Sequence, residues 1–117
     1  MLKISTASKK PVKFELDDQG KTSKLQAVQF RMGDSARLAE LQKPLFSESG
    51  EFTATGIELN ISRVITSVKT ADGKGYYWES IEDFKDADYP LEMLNALTEV
   101  VNDLNPLETE KVADKKK

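Results

Sequence analysis

Hydrophobic and polar residues alternate in the first third of the chain, which is the period of a β-strand with one buried face. Residues 12–18 alternate strictly, and a second extended segment covers residues 25–32, separated from the first by a polar, glycine-containing turn. The second segment places three apolar side chains on one side: Val28, Phe30 and Met32. We therefore predict a short N-terminal β-hairpin, which needs a helix on its apolar face because two strands alone are only marginally stable.

The period changes after Gly33 to that of a helix. Residues 36–42 are good helix formers, and either Asp34 or Ser35 can cap the helix. The helix should end or bend before Pro44, because a proline disfavours helical geometry in the residue that precedes it. Four apolar residues are expected on its buried side: Leu38, Leu41, Leu45 and Phe46.

Residues 53–69 allow two interpretations. The helical one rests on apolar residues with helical spacing, namely Ile57, Ile61, Val64, Ile65 and Val68. The alternative is a hairpin, because the segment is rich in β-branched residues and a glycine-rich turn precedes the extended sequence at 76–78. We take the helix as the prediction and keep the hairpin as the alternative.

Two further helices are predicted in the last third of the chain. Ser80 begins a capping sequence for a short helix, and Pro90 begins a longer helix over residues 90–104. The longer helix has an apolar stripe formed by Leu91, Leu94, Leu97, Val101 and Leu104. The predicted fold is α+β, a short N-terminal β-hairpin followed by three to four helices and mainly helical overall. We predict that residues 1–107 form one small domain and that residues 108–117 form a charged, disordered tail.

Cysteine and histidine are both missing from the 117-residue chain. The chain therefore has no disulfide, no thiolate nucleophile, no zinc knuckle, no serine-histidine-aspartate triad and no imidazole base. Carboxylates, lysines and tyrosines remain as possible catalysts, but a chain of this length seldom forms a substrate cleft beside its single core. We expect a protein that is not an enzyme and that holds no cofactor or metal.

Charge is distributed unevenly along the sequence, although the net charge is only −3. Residues 1–45 carry nine basic and five acidic residues, whereas residues 79–110 carry ten acidic residues and one basic residue, Lys85. The asymmetry either reflects solvated faces of opposite sign or promotes head-to-tail contact between copies of the chain. Because head-to-tail interfaces generate rings or helical filaments, the second interpretation predicts a homo-oligomer.

Several ligand classes are disfavoured by the motifs that they require. Gly73-Lys74-Gly75 lacks the spacing and the following helix of a phosphate-binding loop, so we interpret it as a tight turn. The acidic residues between positions 79 and 88 lack the pattern of a calcium-binding EF-hand. No nucleic-acid partner is expected, because the chain is acidic overall. No membrane partner is expected either, because no long apolar run or signal peptide is present.

Five aromatic residues lie between positions 76 and 89, and they have two possible roles. Trp78 and Phe84 are expected in the core, whereas part of the cluster is a candidate partner-binding surface because tyrosine is favoured at interfaces. The candidate partner-binding residues are those at the ends of predicted elements, where full burial is least expected: Leu45, Phe46, Tyr77 and Tyr89.

The order of these features resembles the tail assembly chaperones of bacteriophages with long, noncontractile tails, the siphophage type. Two short strands and a helix are followed by the aromatic Trp78, an acidic spacer and the sequence Asp88-Tyr89-Pro90. An amphipathic helix then ends with the sequence VVNDLNP at residues 100–106. The resemblance covers most of the chain.

The resemblance implies a chaperone that forms homo-oligomers in the cytoplasm of the infected bacterium and is absent from the mature virion. It implies two partners, the tape measure protein that the chaperone coats and the tail tube protein that polymerises around it. The residues themselves leave another class open, a small cytoplasmic adaptor or secretion-type chaperone of host or plasmid origin. Neighbouring genes for a tube protein and a very long helical protein would distinguish the two.

Overall fold

The computed structural model describes residues 9–46 and 56–106. In these ranges the chain forms a three-stranded antiparallel sheet and four α-helices, which confirms the predicted α+β class. The helices contain more of the described residues than the strands do. The predicted disordered tail and the predicted domain boundary at residue 107 lie outside the described residues.

The first two strands are joined by a two-residue turn. Strand β1 (Val12–Asp18) pairs with β2 (Lys21–Ala27) in the antiparallel sense. Gln19 and Gly20 have φ values of 54° and 88°, and two positive φ values suit the twist of a tight hairpin. The second strand begins and ends earlier than predicted, so Val28 and Phe30 lie after it and not on its apolar side. It begins earlier because so short a turn allows pairing to continue to its edge.

Helix α1 (Met32–Gln42) begins earlier than the sequence predicted. Asp34 does not precede the helix but lies in its first turn, where its carboxylate accepts a hydrogen bond from the Arg31 backbone N–H at 2.9 Å. The prediction that Met32 lies on the apolar side of a strand is wrong, because Met32 is the first residue of α1 and is 93% exposed. After α1 the chain forms a 3₁₀ turn at Lys43–Leu45, consistent with the expected effect of a proline there.

The segment with two interpretations contains both a helix and a strand. Helix α2 (Gly56–Ser67) confirms the helical prediction for residues 56–67, but Val68, which was predicted to lie on the helical stripe, is the first residue of a strand. Strand β3 (Val68–Thr70) follows directly and pairs with β2, and the glycine-rich turn brings Tyr76 back beside Lys69 in a single bridge. The sheet thus has a third strand in addition to the predicted N-terminal hairpin. The sequence did not reveal β3, because three residues are too few to show an alternating pattern.

Two helices complete the described chain, α3 (Ile81–Asp86) and α4 (Leu91–Leu104). Ser80 Oγ accepts a hydrogen bond from the Asp83 N–H at 3.1 Å, so the predicted cap of α3 is confirmed. Helix α2 packs against the other three helices and is the central element of the core. The buried residues of α4 are Leu94, Leu97, Val101 and Leu104.

Candidate partner-binding site

Trp78 lies at the centre of the aromatic cluster. Trp78 and Phe84 are both buried, which confirms the prediction that they belong to the core. Their ring centroids are 4.9 Å apart in an edge-to-face arrangement, and the Tyr89 ring is 6.0 Å from Trp78 and 5.1 Å from Phe84. Edge-to-face packing of this kind is favourable beyond the burial of apolar area. The cluster therefore fixes the segment before α3 to the segment after it.

One carboxylate oxygen of Asp18 anchors two of the predicted partner-binding residues. The hydroxyls of Tyr77 and Tyr89 each donate a hydrogen bond to Asp18 Oδ2 at 2.8 Å. Trp78 Nε1 donates to the Tyr89 hydroxyl oxygen at 3.1 Å. Because Asp18 is the last residue of β1, this network ties the hairpin to both ends of the α3 region.

The two tyrosine hydroxyls stay protonated at neutral pH. The pKa of Tyr89 is raised to about 12, mainly by burial; the hydrogen bond from Trp78 lowers it, and the hydrogen bond to Asp18 contributes to the rise. Burial is also the main cause of the raised pKa of Tyr77. Both hydroxyl groups therefore serve as donors to Asp18, and their polar atoms are engaged within the fold.

An apolar groove of about 230 Å³ lies between α2, α3 and α4. Two large apolar side chains line it while remaining exposed to solvent, Ile57 at 48% and Leu91 at 57%. Tyr89, a predicted partner-binding residue, lines the same groove. Its other lining residues are Ile61, Phe84, Lys85, Asp88 and Leu94. We call this depression the apolar groove.

The sequence assigned Ile57 and Leu91 to buried helical stripes, and the structure shows why this was wrong. Ile57 is the second residue of α2, and Leu91 is the first residue of α4. Side chains of a helix point toward its N-terminus, so those of the first turn extend past the helix end and have no preceding turn to cover. Position in the first turn is the signal that identifies both residues as candidates for partner contact.

A second groove of about 310 Å³ lies between the end of α1, the start of α2 and the start of α3. Its apolar lining includes Leu41, Pro44, Leu45 and Ile81, and three glutamates share the lining: Glu40, Glu58 and Glu82. None of the residues that line this depression is basic, and we call it the acidic groove.

The four predicted partner-binding residues are separated in the structure. Leu45 lines the acidic groove but is only 6% exposed, contrary to the expectation of incomplete burial, and the adjacent Phe46 is 40% exposed. Tyr89 lines the apolar groove, and Tyr77 lines neither groove. The two grooves flank α3, because its first residues line one groove and its later residues line the other.

Basic residues lie near the C-terminal end of α4, whereas the N-terminal end of this helix lines the apolar groove. A depression of about 370 Å³ is lined by Lys9, Lys10, Arg31 and Lys69, which we call the basic depression. Lys9 Nζ donates a hydrogen bond at 3.1 Å to the backbone oxygen of Asp103, which lies in the last turn of α4. Helix α4 has 14 residues, which corresponds to a length of roughly 21 Å. The charge asymmetry of the sequence is therefore also an asymmetry in space.

An ion pair between a buried carboxylate and a partly exposed lysine fixes α1 to the sheet. Asp34 Oδ1 accepts a hydrogen bond from the Tyr76 hydroxyl at 2.7 Å and lies 3.0 Å from Lys69 Nζ. The Arg37 guanidinium stacks on the Tyr76 ring at 3.8 Å from its centroid. Burial alone would raise the pKa of Asp34, but hydrogen bonds from the Arg31 N–H, Tyr76 and Lys69 together lower it.

The described residues and the comparisons with known proteins identify no metal site, no membrane-spanning helix and no family. Within residues 9–46 and 56–106, no cluster of three or more acidic side chains is arranged to hold a metal ion. No helix in the same part of the chain is long and apolar enough to cross a membrane. Protein-family models, curated proteins and solved structures were compared with the chain, and none matches it.

Proposed function

We propose that this protein is a non-enzymatic tail assembly chaperone of a bacteriophage with a long, noncontractile tail. In this role it binds the tape measure protein in the cytoplasm of the infected bacterium, before the tail tube protein polymerises, and it is absent from the mature virion. The proposal combines the resemblance of the sequence with one structural observation, the apolar groove that flanks α3.

The apolar groove supports the proposal because it offers the kind of surface that an amphipathic helix needs. A helix that binds in a groove inserts apolar side chains from one of its faces, spaced three or four residues apart. Ile57 and Leu91 are exposed beside the buried lining of this groove, so a partner helix would cover apolar surface that is otherwise in water. A long amphipathic tape measure helix has an apolar stripe that would otherwise promote its aggregation.

The proposed chaperone also associates with copies of itself. The acidic residues exposed on α3 include Asp83 and Asp86, and the basic depression lies at the far end of α4. Opposite charges at two different ends of one molecule favour heterologous contacts, in which the same pair of surfaces is used by each successive copy. Such an assembly could extend along a rod-shaped partner.

Co-expression with the tape measure protein tests the function. We expect the wild-type chain to increase the soluble fraction of the tape measure protein and to co-purify with it. The double substitution Ile57→Asp and Leu91→Asp should abolish co-purification, since charged groups would enter the apolar groove. Both side chains are about half exposed, so the urea midpoint of the variant should stay close to that of the wild type.

Met32→Asp is the matched control, because Met32 is an exposed apolar residue outside both grooves. It should co-purify like the wild type. A tape measure protein that is no more soluble with the wild-type chain than without it would contradict the proposed function. Equal co-purification by the double variant and the control would show that the apolar groove is not the binding surface.

A further inference from the structure

We infer that the surface around α3 selects a basic amphipathic helix, whose lysine or arginine side chains lie in the acidic groove while its apolar stripe occupies the apolar groove. The inference rests on the proposed function and adds to it the charge of the partner. It follows from the position of the two grooves on either side of one short helix.

The acidic groove combines an apolar lining with carboxylates. Leu41, Leu45 and Ile81 contribute apolar surface, and Glu40 and Glu82 are exposed beside them. A long basic side chain suits this combination, because its methylene groups cover apolar surface while its charged end reaches a carboxylate. An acidic side chain would be repelled by Glu40 and Glu82, so a basic flank is favoured over an acidic one.

The two grooves are close enough to contact one helix. The consecutive residues Ile57 and Glu58 in the first turn of α2 line the apolar and the acidic groove, respectively. Helix α3 contributes Phe84 to the first and Ile81 to the second, which are one helical turn apart. A partner helix about 10 Å in diameter therefore presents its apolar stripe to one groove and a flanking side chain to the other.

The surroundings of the grooves carry the same sign of charge. Residues 79–106 contain a single basic residue, Lys85, and the acidic residues exposed on or beside α3 include Asp83, Asp86 and Asp88. Exposed ion pairs contribute little affinity individually, but a surface of one sign discriminates between partners and accelerates the encounter with the oppositely charged one. The expected effect of these charges is therefore selectivity that depends on salt.

Two synthetic peptides test this selectivity on the full chain. Both form an amphipathic helix of about 18 residues, or five turns, with the same leucine stripe, and they carry either lysines or glutamates on its flanks. Binding is measured by fluorescence anisotropy of the labelled peptides. We expect the lysine peptide to bind at least about tenfold more tightly at low salt, and the difference to disappear near 1 M salt, where the Debye length is about 3 Å.

A pair of charge-reversal variants locates the effect. Glu40→Lys with Glu82→Lys should remove most of the preference for the lysine peptide. Glu99→Lys with Asp103→Lys makes the same change in net charge at exposed positions of α4 outside both grooves and should retain the preference. Equal loss of the preference in both variants would show that net charge alone is responsible, which would overturn the inference.

Other outcomes separate this inference from the proposed function. If both peptides bind equally, or if neither binds while the tape measure protein is still solubilised, the inference is overturned and the proposed function stands. If Glu40→Lys with Glu82→Lys abolishes self-association but leaves peptide binding unchanged, the acidic groove belongs to the contact between copies, and the inference is overturned. Failure of the tape measure co-expression together with selective binding of the lysine peptide would contradict the proposed function alone.

Discussion

Asp34 shows how one residue connects two elements that are distant in sequence. Its carboxylate joins the first turn of α1 to Lys69 of β3 and to Tyr76 after the glycine-rich turn. The sequence identified Asp34 as a possible helix cap from its local position, which is all that a capping pattern can report. Its partners Lys69 and Tyr76 could not be predicted, because they depend on how the sheet and the helix pack.

Asp34→Asn should destabilise the protein by about 1.5–3 kcal/mol, because it weakens charge-assisted hydrogen bonds at a buried position. Chemical denaturation at pH 7 measures this loss directly. The pKa of Asp34 lies below its ordinary value of 3.8, so its contribution to stability is fully present above pH 3.8 and is lost as the pH falls through the folded-state pKa. The wild type should therefore lose more stability below pH 3.8 than the variant does.

Asp86→Asn is the matched control for this experiment, since Asp86 is an exposed aspartate at the end of α3. It should change the urea midpoint little at pH 7 and should retain the acid-dependent loss of the wild type. An Asp34→Asn variant as stable as the wild type at pH 7, with the same decline in acid, would show that the ion pair contributes nothing to folding.

The helices were the elements that sequence reasoning predicted best. Hydrophobic periodicity identifies the buried stripe of α4 because one face of a long helix packs against α2 along its length. The same rule failed at the ends, where Ile57 and Leu91 fit the period but are exposed. Periodicity reports which face a residue occupies, but it does not report whether another element covers that end of the helix.

The candidate site was harder to predict than the helices. Tyr77 and Tyr89 were identified by residue type, but their shared hydrogen-bond acceptor, Asp18, lies in the hairpin and carries no sequence signal of that role. The two grooves depend on the packing of three or more elements around α3. Aromatic composition therefore indicated the region of the site, whereas its shape required the tertiary structure.

Two leucines of α4 separate core packing from surface exposure. Leu97 is buried, so Leu97→Ala should cost about 2–5 kcal/mol through lost burial and the cavity that remains. Leu91→Ala makes the same chemical change on the same helix at an exposed position and should change stability by no more than about 0.5 kcal/mol. Urea unfolding of both variants measures the difference. Similar midpoints for the two would mean that α4 does not bury the stripe seen in the structure.

At the scale of the whole molecule, the fold converts a charge gradient along the sequence into two separated surfaces. The basic depression draws on residues from the first half of the chain and from β3, whereas the acidic residues on α3 come from the second half. The first turn of α4 lines the apolar groove beside α3, and the backbone oxygen of Asp103 in its last turn accepts a hydrogen bond from Lys9 of the basic depression. The sequence predicted the sign of each half, but the separation of the two surfaces depends on the direction of α4.

This separation predicts self-association that salt weakens. Light scattering at low salt should report species larger than a monomer at high micromolar concentration, and these should dissociate near 1 M salt, where contacts between exposed charges are screened. Lys9→Glu with Arg31→Glu reverses two charges of the basic depression and should yield a monomer at low salt.

Lys21→Glu with Lys24→Glu is the matched control, because it changes the net charge equally at exposed positions of β2 outside the basic depression. It should associate like the wild type if a specific contact is responsible. A wild-type monomer at low salt would remove the hypothesis, and equal dissociation by both variants would assign the effect to net charge. Association that persists near 1 M salt would instead indicate an apolar contact, because salt does not screen apolar burial. The candidates are the exposed large apolar side chains of the described residues: Val12, Met32, Phe46, Ile57 and Leu91.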